Sequence, residues 1–98
     1  YAAVGDAGGA VTSAHSTHHF LASRGLLGQA TPALAARHLS WCGHPVLVAH
    51  SDGLDRRWSA SAYDDAVLRC PPLLAALLYR DFGRTADDIT VVAVGRAA

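Results

Sequence analysis

The uninterrupted apolar run Val46-Leu47-Val48-Ala49 constrains the fold more than any other feature of this chain. It is too short to give a helix a buried stripe, and it predicts a strand over residues 45–51 covered on both faces. The run stops at Ser51-Asp52-Gly53, a sequence that turns the backbone. A second run of the same kind, residues 89–94, starts directly after the acidic pair Asp87-Asp88. Two such strands require a sheet with a covering layer, and a chain of 98 residues can build one core of that sort.

The remainder reads as short elements around those two. Gly8-Gly9 predicts a turn ahead of a strand at residues 10–13, and alternation from Thr17 to Ala22 predicts a strand over residues 16–23. Residues 34–41 stay undecided between helix and strand. Residues 56–65 read as a polar connection, with Trp58 and Tyr63 tucked against the body. Pro71-Pro72 opens a helix that runs over residues 72–82, because proline is tolerated in the first turn. Leu74, Leu77 and Leu78 form its buried stripe and Gly83 ends it. Several short, mainly antiparallel strands with one clear helix make an α+β chain.

Composition removes several function classes. Eight Arg balance eight Asp with no Lys and no Glu, so no basic footprint for nucleic acid or a membrane surface exists. The longest apolar stretch, residues 71–79, falls far short of the roughly 20 residues needed to span a bilayer. No signal-peptide pattern opens the chain, so a cytoplasmic location is expected. The absence of Met, including an initiator, is expected of a segment of a longer product. Cys42 and Cys70 are expected to be buried thiols. His15, His18, His19, Cys42 and His44 lack the paired spacing of a zinc site. Ser13, Ser16 and Ser23 have no base in reach for a hydrolase triad.

The acids are placed more tellingly. Asp52 follows the C-terminal end of one strong strand, and Asp87 and Asp88 precede the N-terminal end of the other. If the two pair antiparallel, these ends lie side by side. Carboxylates that close repel unless a cation sits between them, and hard oxygen donors suit Mg²⁺ or Mn²⁺. Aspartates that merely cap turns are the plainer alternative. His50, two residues before Asp52, could donate to a phosphate or a metal-bound water, or simply pack within the strand. Arg56 and Arg57, beside Asp55, could meet a phosphate at the rim.

The residues around these acids resemble a known family. His50-Ser51-Asp52-Gly53-Leu54 and Asp87-Asp88-Ile89-Thr90-Val91-Val92 look like the last two signature segments of the PP2C-type metal-dependent protein phosphatases. The likeness is closest to the bacterial branch typified by the sporulation stage II E phosphatase and the phosphatases of sigma-factor partner switching. Leu78-Tyr79-Arg80-Asp81-Phe82, Arg84, the opening Tyr1-Ala2-Ala3-Val4-Gly5-Asp6 and the segment 21–28 also fit that branch. The resemblance implies an α-β-β-α sandwich with a two-metal Mn²⁺ or Mg²⁺ site. Water activated by those metals would attack a phosphoserine or phosphothreonine. It further implies Asp52 and Asp87 as metal ligands, with Asp88 standing where many relatives carry Asn. Gly53 would let the backbone pass close to the metals. The implied substrate is a phosphorylated regulatory protein such as an anti-anti-sigma factor.

One departure is large. The family's Asp-Gly metal-binding segment on an early strand has no counterpart before Asp52, since Asp6 is followed by Ala7. Residues 1–98 are therefore expected to be a single partial domain, the C-terminal portion of such a phosphatase, with activity belonging to the parent protein. A cut sheet leaves an unpaired edge, so a homodimer is also expected as a possibility. The alternative function is a non-catalytic phosphatase-like module that binds a phosphoprotein or another regulatory partner.

Overall fold

The computed structural model describes residues 7–20, 36, 38–39, 41, 43, 45–84 and 88–95. Among the described residues, four strands form one antiparallel sheet: β1 (Gly8–Thr12), β2 (Thr17–His19), β3 (Val46–His50) and β4 (Val91–Gly95), in the order β2-β1-β3-β4. Two helices, α1 (Asp65–Leu68) and α2 (Pro71–Phe82), lie between β3 and β4 in the chain. The predicted α+β class with mainly antiparallel strands and one main helix is what forms.

The registers assign the faces. Ala10 pairs with Val48 and Val48 with Ala93, while Gly8 pairs with His50 and His50 with Val91. Paired residues share a face, so Ala10, Val46, Val48, His50, Val91 and Ala93 all point to one side. The core is on that side: Ala10, Val46 and Val48 pack with Leu54, Trp58, Ala60, Leu68, Leu74 and Leu78, all buried. The opposite side carries Val11, Leu47, Ala49, Val92 and Val94, of which Val92 and Val94 are 49% and 45% exposed. The strand 45–51 was expected to be buried on both faces. In β3 the burial instead alternates, with Val46, Val48 and His50 buried and Leu47 and Ala49 half-buried.

Helix α2 forms where the pattern places it. Pro71 and Pro72 occupy its first positions, and Leu74 and Leu78 lie one turn apart on the buried face, with Leu77 half-buried. Gly83 ends the helix in extended conformation, its N–H donating to the Tyr79 carbonyl at 3.1 Å. The helix packs on β4 and on α1. The stretch read as a polar connection holds more apolar burial than its composition suggests, with Trp58 and Ala60 in the core. Tyr63 anchors it to α2, donating from its hydroxyl to Asp81 Oδ2 at 2.6 Å. Burial and that hydrogen bond push the Tyr63 phenol up to about 12, and the Arg80 hydrogen bond followed by that of Tyr63 holds Asp81 below the ordinary carboxylate range.

Three expectations are corrected. Gly8-Gly9 is not a turn but the start of β1: a Cβ at Gly9 would lie 2.5 Å from the Val48 carbonyl oxygen and 2.9 Å from the Phe20 ring. The glycine marks close approach of neighbours within a sheet. The strand over 16–23 is three residues, Thr17–His19, followed by one more backbone bond from Phe20 N–H to the Gly9 carbonyl at 2.7 Å; residues 21–23 lie outside the described residues. Cys70 is exposed rather than buried, because it sits just before Pro71 at the solvent-facing start of α2. Cys42 and the opening residues 1–6 also fall outside the described set. Among the described residues, no helix is long and apolar enough to cross a membrane.

Leu78→Ala should cost about 2–5 kcal/mol by leaving a core cavity, whereas Leu73→Ala on the exposed side of α2 should stay within about 0.5 kcal/mol. Urea unfolding of both variants checks this. An ultraviolet titration should show one tyrosine ionising near pH 12, lost in Tyr63→Phe. Because the folded value is raised, this interaction's stabilisation is complete below the unfolded tyrosine pKa of about 10 and disappears as pH rises through 12.

Candidate functional site

The rim formed by the end of β3 and the start of β4 collects His50, Asp52, Gly53 and Asp88 of the residues singled out in the sequence. The two strands pair antiparallel, with His50 opposite Val91. Beyond the last paired residues, Ser51 carries the pairing onward. Its N–H donates to the Thr90 carbonyl at 3.0 Å, and its Oγ accepts from the Thr90 N–H at 3.0 Å. The side-chain hydroxyl stands in for a backbone acceptor, so the chain can leave the ladder and turn while the Thr90 N–H keeps a partner.

Gly53 sets how closely the turn approaches β4. A Cβ there would lie 2.3 Å from the Asp88 carbonyl oxygen and 2.7 Å from Ile89 Cγ1. The turn is also tied to the end of α2. Arg84 N–H donates to the Gly53 carbonyl at 2.8 Å, Asp55 N–H donates to the Phe82 carbonyl at 2.9 Å, and Leu54 bridges to Gly83. Asp52 and Asp88, both exposed, therefore occupy one rim, with the Gly53 backbone packed on that of Asp88. This contact within the chain by itself requires glycine at position 53. Asp87 lies outside the described residues.

His50 is 6% exposed, and both its ring nitrogens have partners. Trp58 Nε1–H donates to His50 Nε2 at 3.0 Å, and Nδ1 lies 2.8 Å from the Ser51 carbonyl oxygen. An indole nitrogen can only donate and a carbonyl can only accept, so the ring carries its proton on Nδ1. His50 thus packs within the strand and holds the turn. Arg56 is exposed and lines a cavity of about 270 Å³ together with Gly8, Gly9, His19, Phe20 and His50. Asp55 caps its own turn, its Oδ1 accepting from the Arg57 N–H at 2.9 Å.

Two further participants, His19 and Trp58, take parts that the sequence did not assign to them. His19 reaches the cavity because it pairs with Ala10 on the core face of β2, and its ring stands edge-on to Trp58 at 5.2 Å. Desolvation, and then the neighbouring His50, hold its imidazole below the ordinary histidine value. Trp58 is expected from the sequence to be a core or loop anchor, and an indole buried eight residues after a strand-end histidine also needs an acceptor for its N–H. Among the described residues, no three His, Cys, Asp or Glu side chains are grouped as a metal cage. The chain matches no family model, no curated protein and no solved structure.

Gly53→Ala should cost about 1–3 kcal/mol, since the added methyl meets backbone that cannot step aside. Chemical-shift changes confined to residues 51–54 and 88–90, with a lowered urea midpoint, are the expected signature.

Proposed function

We propose that this chain is part of a metal-dependent protein serine/threonine phosphatase domain of the PP2C type, of the sporulation stage II E-like branch. The observation that carries the reading is the rim where Ser51-Asp52-Gly53 packs against Asp88-Ile89. Antiparallel pairing supplies the convergence of acids that a divalent cation would neutralise.

The donor chemistry suits the ion. Asp52 is exposed at the rim beside Asp88, and carboxylate oxygens are the donors Mn²⁺ and Mg²⁺ prefer. Asp52 and Asp87 would hold the metals, with further ligands coming from the parent protein. When bound, Mn²⁺ or Mg²⁺ supplies Lewis acidity and an activated water for hydrolysis of a phosphate ester. The chain's own part is positional: Ser51 and Gly53 hold Asp52 against the start of β4, and Arg56 stands at the adjoining cavity with a guanidinium able to pair with phosphate oxygens. The substrate on this reading is a phosphorylated regulatory protein, and the products are the free hydroxyl side chain and inorganic phosphate.

Calorimetry with Mn²⁺ tests this. Asp52→Asn and Asp87→Asn should each weaken binding by at least about tenfold, whereas Asp88→Asn should leave it nearly unchanged. Binding that ignores Asp52→Asn and Asp87→Asn would overturn the metal reading, leaving a module that binds its partner without hydrolysis.

A further inference from the structure

We propose that Trp58 is a positioning residue for Asp52, acting through His50 and the Ser51 carbonyl. The role rests on the metal reading of Asp52 for its functional meaning and on hydrogen-bond geometry for its mechanics.

Three groups form one chain of hydrogen bonds. Trp58, 1% exposed, donates from Nε1 to His50 Nε2 at 3.0 Å, which leaves the ring proton on Nδ1. That Nδ1–H points to the Ser51 carbonyl at 2.8 Å, and the same oxygen accepts the Leu54 N–H at 3.3 Å. The Ser51 carbonyl belongs to the peptide unit that contains the Asp52 nitrogen. Fixing this carbonyl fixes the plane of that peptide, and with it the direction in which Asp52 leaves the backbone. The other side of Ser51 is fixed by its two bonds to Thr90.

Trp58 can serve this way because it is itself immobile. Its ring fills the core beside Leu54 and Ala60, His19 stands edge-on to it, and its backbone N–H donates to the Asp55 carbonyl at 3.1 Å. A phenylalanine would fill much of the same space but could not orient the imidazole. The Ser51 carbonyl alone would then favour a proton on Nδ1, and the imidazole would lose the bond at Nε2 that fixes its orientation toward that carbonyl.

Trp58→Phe and His50→Gln break the relay at its first and second links. Nuclear magnetic resonance of the imidazole nitrogens should show one Nδ1–H tautomer in the unsubstituted chain and a mixture with the Nε2–H tautomer in Trp58→Phe. Amide exchange at Leu54 and Arg84, which report on the turn, should rise roughly tenfold in both variants while Val48 in β3 is unchanged. Mn²⁺ affinity should fall roughly tenfold in both, as for other outer-shell partners of a metal ligand. In the double variant the losses should not add, because one chain is broken twice.

Unchanged exchange at Leu54 and Arg84, or an equal rise at Val48, would overturn the proposal; so would Mn²⁺ affinity that both variants leave intact. If Trp58→Phe fails to fold, His50→Gln carries the same test, since it keeps the indole in place. If the unsubstituted chain binds no Mn²⁺ while tautomer and exchange respond as expected, the metal reading falls and the positioning of the turn stands.

Discussion

Strand β3 is the member on which the other elements depend. It is paired on both sides, with β1 along one edge and β4 along the other, and it supplies Val46 and Val48 to the core. Removing those side chains from water is the driving force that holds the sheet against α2. The direction of β3 also decides where its last residues emerge. Because β4 runs antiparallel, the point at which β3 leaves the sheet is the point at which β4 enters it. The acidic rim follows from strand direction, before any side chain is considered.

Glycine does two jobs here that neither involve left-handed backbone. Gly9 lets β3 and Phe20 approach β1, and Gly53 lets the turn after β3 rest on the Asp88 carbonyl. In both cases a neighbouring main-chain oxygen takes the place a side chain would need. Glycine in a sequence signals such approach as readily as it signals a turn, and Gly8-Gly9 is a case where the approach reading wins.

What was legible followed from contiguous patterns. The β3 run, the α2 stripe with its opening prolines and the β4 run each declared themselves over a handful of neighbouring residues. The antiparallel meeting of Asp52 with the start of β4 was legible too, since only direction was needed. Less legible were features set by tertiary contact. The β1 boundary depends on Val48 and Phe20 standing over Gly9, and the short α1 gains its place by burying Leu68 against the core. The Trp58–His50 bond joins residues whose relation appears only once the turn has brought the chain back on itself. Cys70 shows the same limit in reverse: burial habit is a property of the residue type, and one position beside a proline overrides it.

The connectivity of the sheet carries a consequence for how the molecule assembles. β1 and β2 are joined by a tight reversal, but β1–β3 and β3–β4 unite residues roughly forty positions apart. Closing such loops costs chain entropy before any ladder bond repays it. The hairpin and helix α2 can form early from local contacts, whereas the β3–β4 ladder waits for the long closure. The rim bearing Asp52 and Asp88 thus depends on one of the long-range closures of the fold. A chain in which that ladder is unformed does not present these acids side by side, so whatever the rim does is tied to completion of the sheet.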